Sequence, residues 1–287
     1  MAEPVGVERL PAGGHACLTF SDPDERLDLL AAFVGDGLER GQRVVCYTDA
    51  MTPVAFIDEL DHRSVKATVA ATAGQLLVAD CSTLWSGAGA GTALQMLTAI
   101  TAEIDAAGAA GYRGLRVSTD MAWATRPHAA AQELLRFEEQ ATGWLRGGTV
   151  TTMCQYDRGT FDPVTLAFAA QVHPHTVAAQ VYHDDPLLRI CRQYRPAGVR
   201  IAGELDFRHL GVLEQALAEA LRLDADPQVN LRRVRYLDAA CAAAIVRAAG
   251  QLSSERVMDV PCASLPARVL RLCGAAELAN LRLTEAT

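Results

Sequence analysis

The 287-residue chain is half hydrophobic and carries a net charge of −8. This composition excludes a disordered chain and a basic nucleic-acid binder, and no apolar run approaches the ~20 residues that a membrane-spanning helix needs. Residues 1–190 hold 13 Lys+Arg against 23 Asp+Glu and residues 191–287 hold 13 against 11, a shift expected of two domains with separate roles.

The opening MAEPVGVERLPAGG lacks the basic start and apolar core of a signal peptide, so a cytoplasmic location is expected. The eight cysteines are scattered without a CxxC pair, which leaves no zinc knuckle or redox motif in view. Cys46, Cys81 and Cys154 lie in apolar runs and read as buried thiols.

Residues 15–49 read as strand, loop, helix, strand. His15 to Phe20 is β-prone, and Ser21-Asp22-Pro23-Asp24 supplies turn and N-cap chemistry. Leu27, Leu30, Phe33, Val34 and Leu38 recur at helical spacing, and Gly41 closes the helix before the strand from Arg43 to Thr48. A parallel sheet places such a strand-to-helix loop at the rim where ligands bind. A phosphate loop would be glycine-rich and end in Lys and Ser/Thr. Residues 21–26 hold no glycine or lysine and three acids, so this is a nucleotide-binding layout without the nucleotide chemistry.

Further along, a helix over 53–61 and strands over 65–69 and 75–80 are expected. A glycine-rich surface loop over 86–91 precedes a helix over 92–107. A strand over 114–118 leads into Asp120 and Trp123, where a carboxylate past a strand end suits either a ligand or a helix cap. A helix over 127–145 starts with proline, a strand follows over 149–156, and a helix over 161–172 is broken by His173-Pro174. This alternation predicts a three-layer α/β domain over 10–183. Polar, proline-punctuated residues 184–198 read as a linker. Residues 199–287 then read as a smaller α/β module, with strands near 199–202, 228–234, 257–260 and Leu281, and helices over 207–223, 239–252 and 265–273.

His15 and Cys17 alternate on one strand and share a face. With Cys154 or His173 nearby they could form a metal or haem site; the plainer alternative is a satisfied histidine and a buried thiol. Tyr182-His183-Asp184-Asp185 suits metal ligation but reads as solvated linker. No nucleophile elbow and no HExxH motif is present, so no catalytic residues are assigned.

The first domain resembles the MEDS family, the DcmR-type sensory domain. The matching pieces are His15-Ala16-Cys17, the segment FVGDGLERGQRVVCYTD at 33–49, LRVSTDMAWA at 115–124, Met153-Cys154-Gln155-Tyr156-Asp157 and His173-Pro174. The resemblance implies a sensor fused to output modules, on a RecA/KaiC-like fold that has lost its phosphate loop. His15, Cys17, Asp120, Trp123, Tyr156 and His173 are the ligand-binding candidates on this reading; neither the ligand nor any cofactor is named by it.

The second domain resembles STAS, the fold of anti-sigma-factor antagonists, through Gly203-Glu204-Leu205-Asp206 and the strand from Val229 to Asp238 with its following helix. Such antagonists carry an Asp-Ser-Ser/Thr-Gly turn whose second hydroxyl is phosphorylated by the partner kinase. This chain has Asp238-Ala239-Ala240-Cys241 instead, which cannot accept a phosphoryl group. With only Arg189 to Pro196 where the family's first strand would lie, the module reads as trimmed at its start.

The resemblance places partner contacts at Asp206, Asp238, Ala239, Ala240 and Cys241. The partners it implies are an anti-sigma factor or related kinase, other STAS proteins, or a second copy of the chain. The expected function is a non-catalytic signalling regulator acting in transcription and stress responses. A degenerate ATPase-like enzyme and a constitutive scaffold are the alternatives.

Overall fold

The computed structural model describes residues 4–85, 93–125, 131–144 and 148–285. The expected loop over 86–91 and the proline start of the helix at 127 lie outside these residues. The chain divides into two compact units, Met1–Ala178 and Ala179–Thr287.

The first unit is built on a seven-stranded sheet in the order β1-β7-β2-β6-β5-β3-β4, with every pairing parallel. Its strands are β1 (Pro4–Val5), β2 (His15–Phe20), β3 (Arg43–Thr48), β4 (Leu76–Asp80), β5 (Leu115–Asp120), β6 (Val150–Asp157) and β7 (His175–Val177). The helices are α1 (Pro23–Glu39), α2 (Pro53–His62), α3 (Ala67–Thr72), α4 (Ala93–Ala109), α5 (Ala131–Trp144) and α6 (Pro163–Val172). Adjacent residues of β6 contact different helices: Gln155 bonds Arg26 of α1, whereas Tyr156 bonds Glu138 of α5. Neighbouring strand residues face opposite ways, so helices cover both faces in three layers, as the alternating sequence predicts.

The acidic loop after β2 works as a cap. Asp22 Oδ1 accepts from the amides of Asp24 at 2.8 Å and Glu25 at 3.4 Å, and Pro23 occupies the first helical turn. The amides that would face a phosphate in a phosphate loop are thus taken by a carboxylate of the chain itself.

One expected strand is a helix. Residues 65–69 fall largely in α3 because Asp61 reaches forward to its first turn: Oδ1 accepts from the Ala67 amide at 2.6 Å, and Oδ2 from the Thr68 hydroxyl at 2.5 Å. That side-chain cap overrides the β preference of Val65 and Val69.

The second unit holds a six-stranded mixed sheet in the order β13-β12-β11-β10-β9-β8. Its strands are β8 (Val181–Asp184), β9 (Leu188–Tyr194), β10 (Ala197–Leu205), β11 (Gln228–Leu237), β12 (Met258–Cys262) and β13 (Leu281–Glu285). The helices α7 (Leu210–Leu223), α8 (Ala239–Ala249) and α9 (Ser264–Leu272) pack their apolar residues into one core with the sheet, including Leu213, Leu217, Ile245 and Leu270.

Residues 184–198 are therefore not a linker, and the module is not trimmed. They form β9 and the start of β10, an antiparallel hairpin that buries Leu188, Ile190 and Val199. Pro196 lies in the hairpin turn, where a missing amide costs no ladder bond, rather than inside a strand. The glycine of the Gly203-Glu204-Leu205-Asp206 segment is required by this hairpin. Gly203 has φ +114°, and a Cβ there would lie 2.0 Å from the Leu187 carbonyl oxygen.

Candidate functional site

The parallel register of β2 and β6 aligns His15 with Thr152, Cys17 with Cys154, and Thr19 with Tyr156. Aligned residues share a face, so His15, Cys154 and Tyr156 project toward the same helix layer. His173 joins them as the C-cap of α6, just before β7 pairs beside β2. Glu138 arrives from α5. All of these side chains are buried.

Glu138 is the hub. Its Oε2 lies 3.2 Å from His15 Nε2, 3.3 Å from His173 Nε2 and 3.9 Å from Cys154 Sγ, and its Oε1 accepts the Tyr156 hydroxyl. Cys154 Sγ is 3.5 Å from His15 Nε2. The two imidazole rings stand 4.1 Å apart at 53°. One ligand atom from each of His15, Glu138, Cys154 and His173 lies within 4.8 Å of all the others, a group that could hold a metal ion. That convergence leaves no room for a haem macrocycle among the four. Cys17 sits alongside, with its Sγ 3.7 Å from Thr176 Oγ1, and is not one of the converging ligands.

The electrostatics follow from burial. Burial acting alone would raise the Glu138 carboxyl, but the hydrogen bond from His15, the two neighbouring imidazoles and the Tyr156 hydroxyl outweigh it and hold the group below its ordinary value. Burial pushes His173 down to about 4 against the opposing pull of Glu138. Burial, reinforced by the Glu138 charge, raises the Cys154 thiol and the Tyr156 phenol well above their usual ranges. His15 Nδ1, Thr152 Oγ1 and His173 Nε2 are buried there without a hydrogen bond. Native interiors rarely leave such atoms unsatisfied. A surface cavity of about 310 Å³ between α5 and α6 is lined by Glu138, Glu139, Phe168 and Val172.

Asp120 and Trp123 do not belong to this group. Asp120, at the end of β5, takes Arg26 on Oδ2 at 2.7 Å, together with the amides of Ala50 and Ala122 at 3.3 and 3.1 Å. Arg26 also donates to Gln155, whose amide donates to Ser118. This network lies on the α1 face of the sheet, opposite to α5. Trp123 is core, packed edge-on to Phe137 with centroids 5.8 Å apart.

In the second unit, Asp238 caps α8. Its Oδ1 accepts from the Cys241 amide at 2.8 Å and its Oδ2 from the Phe207 amide at 2.7 Å, tying the loop after β10 to the helix start. Asp206 is held by Arg208, with one contact at 2.6 Å. Ala239 and Ala240 are exposed, whereas Cys241 is buried. Phe207, whose amide the Asp238 cap holds, is a large exposed apolar residue, as is Leu272, the sequence neighbour of Cys273, whose Sγ lies 3.7 Å from the Ala239 carbonyl oxygen. His183, expected in solvated linker, lies on β8 and forms a second, more open group with Asp185 and His209.

A family model for MEDS, the MEthanogen/methylotroph, DcmR Sensory domain, matches residues 14–174. The chain belongs to this family. A second model, Mlab, STAS domain, matches residues 190–283, so the MEDS domain is followed by a STAS domain. No curated protein sequence matches the chain. Among solved structures, a KaiC-like protein from the hyperthermophilic archaeon Pyrococcus horikoshii OT3 is similar at 14% identity and a TM-score of 0.48, over 71% of this chain and 89% of that one. The flagellar accessory protein FlaH from Methanocaldococcus jannaschii is similar at 10% identity and a TM-score of 0.48, over 69% of this chain and 92% of that one.

Of the six ligand-binding candidates in the MEDS domain, the structure gathers His15, Tyr156 and His173, with Cys17 beside them. Glu138 was not among the candidates. Its signal is present in α5, where Leu134, Phe137 and Ala141 form a buried stripe and Glu138 falls on it. A carboxylate on the apolar stripe of an amphipathic helix needs buried partners.

Proposed function

We propose that this protein is a non-catalytic signalling regulator, in which the MEDS domain senses and the STAS domain transmits by protein–protein contact. The observation that carries the reading is the start of α8. Ala239 and Ala240 are exposed at the turn where the family resemblance expects a phospho-acceptor, and the exposed Phe207 follows the loop that the Asp238 cap ties to it. An apolar patch of this kind suits a partner, and alanine offers no oxygen for phosphoryl transfer. The partner on this reading is an anti-sigma factor, a related kinase or another STAS protein, engaged without a phosphorylation switch. The Asp22 cap supports the non-catalytic part, because the α1 amides already hold a carboxylate.

Control then comes from upstream: a ligand that prefers one state of the MEDS domain biases the populations of the whole chain. The test is binding of the full chain to candidate anti-sigma factors and kinases, with and without ATP. Binding that is unaffected by ATP, with no phosphate on the chain, is expected, and Ala240→Glu should weaken it at least tenfold. Equal binding by wild type and Ala240→Glu would remove α8 from the interface.

A further inference from the structure

We propose that His15, Glu138, Cys154 and His173 bind one zinc ion in a closed four-coordinate site inside the MEDS domain. This deepens the sensory reading above, on which its regulatory consequence rests, by naming the ligand.

The first support is the shape of the cluster. Zinc bonds of about 2.0–2.1 Å to nitrogen, 2.0–2.2 Å to oxygen and 2.3 Å to sulfur give a tetrahedron with N–O edges of about 3.4 Å and edges to sulfur of about 3.6 Å. The N–O edges are 3.2 and 3.3 Å, and the edges from Cys154 Sγ are 3.5 Å to His15 and 3.9 Å to Glu138. Four of the six edges among donors from four separate elements are therefore close to those the ion requires, and the other two lie within 4.8 Å.

The second support is the hydrogen bonding behind the donors. His173 Nδ1 lies 2.7 Å from the Ala169 carbonyl oxygen, which can only accept, so Nδ1 carries the hydrogen. In the neutral ring Nε2 is then a bare lone pair. It points to within 3.3 Å of a carboxylate oxygen and makes no hydrogen bond. Two acceptors face each other across a gap that a cation would fill. A histidine whose far nitrogen donates to a backbone carbonyl is the usual support of a metal-binding imidazole, and the Tyr156 hydroxyl on Glu138 Oε1 supports the carboxylate in the same manner.

Charge is the third support. A divalent ion, one thiolate, one carboxylate and two neutral imidazoles sum to zero, which makes burial of the whole assembly tolerable where burial of a lone charge is not. Binding exchanges the Cys154 thiol proton for the cation and releases that proton to solvent. The mixed nitrogen, sulfur and oxygen donors suit zinc and reject the hard, oxygen-preferring magnesium. With all four positions filled by protein, the site is of the closed, structural kind. It would clamp α5 to β2, β6 and the end of α6.

The experiment is a titration of chelator-treated full chain with Co²⁺ and then Zn²⁺, followed by absorption and by metal content. One equivalent of Co²⁺ should bind with the visible bands of tetrahedral cobalt and a sulfur-to-cobalt charge-transfer band, and Zn²⁺ should displace it while Mg²⁺ does not. Cys154→Ser should lose the charge-transfer band, whereas Cys17→Ser should keep it, and Tyr156→Phe should weaken zinc about 10–100-fold. Absence of cobalt binding by folded wild type, octahedral bands, equal competition by magnesium, or loss of the sulfur band in Cys17→Ser but not Cys154→Ser would each overturn the assignment. Zinc bound at one equivalent with partner affinity unchanged upholds the site and removes the sensory reading. No zinc bound, with partner affinity still responsive to another small molecule, does the reverse.

Discussion

Asp120, at the end of β5, and Glu138, on α5, are both buried carboxylates, held against opposite faces of the same parallel sheet, and they are balanced differently. Asp120 faces Arg26, a fixed cation, and two backbone amides complete its shell. Glu138 faces two imidazoles, a thiol and a phenol, none of which is a permanent charge. The difference teaches how to separate framework from site. A carboxylate matched by arginine is complete within the fold, whereas one matched by groups that ionise or ligate is arranged for something that arrives.

The sharpest way to break this contrast is to remove the fixed cation. Arg26→Ala strands Asp120 in the interior and takes a donor from Gln155. It should cost about 3–5 kcal/mol in urea unfolding of the chelator-treated chain, with no dependence on metal. A cost of Arg26→Ala that vanishes when the zinc-loaded variant is compared with zinc-loaded wild type would show that the two carboxylates share one role.

The complementary test acts on the other face. For wild type, zinc at about 100 times its dissociation constant should add about 2.7 kcal/mol of stability to the chelated chain. Glu138→Gln should lose most of that increment while leaving the metal-free stability nearer to wild type than Arg26→Ala does. A zinc increment in Glu138→Gln equal to that of wild type would show that the carboxylate is framework after all.

These two faces were not equally legible in the sequence. The β2 and β6 strands, the helix between β2 and β3 and the break at His173 follow from periodicity and from proline and glycine placement. Which strands lie side by side does not, because parallel pairing depends on crossovers and leaves no local mark. His15 and Cys154 thus remained separate clues until the register joined them. Glu138 was hidden by the name of its element: in a helix read only for its apolar stripe, a polar residue on the stripe looks like noise. Asp120 was misleading for the opposite reason, since a carboxylate past a strand end fits a ligand site, and its partner Arg26 is 94 positions away. The hairpin of β9 and β10 was missed because Pro186 and Pro196 suggest irregular chain. The alternation of buried Leu188 and Ile190 was the available counter-signal.

The same contrast between framework and site applies to Asp238 in the STAS domain. It was expected at the partner surface, and its two oxygens hold two loops together. Asp238→Ala should therefore lower stability by about 1 kcal/mol through loss of the cap, measured by thermal unfolding. Asp238→Asn, which keeps an accepting oxygen for the Cys241 amide, should recover most of it. A partner-affinity loss in Asp238→Asn without any change in stability would return this residue to the interface.

Cys241 gives the smallest expected effect and the cleanest separation of the exposed from the buried part of that turn. It follows Ala239 and Ala240 directly, yet its side chain is fully buried. Burial, with the neighbouring Asp238 charge, pushes its thiol up to about 12. Alkylation needs the thiolate, and a raised value keeps the thiol protonated until the solution pH approaches it. Iodoacetamide at pH 8 should leave Cys241 unmodified in the native chain over the time in which the half-exposed Cys273 is labelled. Mass mapping after digestion reads both sites in one sample, so Cys273 serves as the internal standard. Labelling of Cys241 at the rate of Cys273 would mean that the first turn of α8 opens in solution, and that the surface available to a partner is deeper than its two alanines.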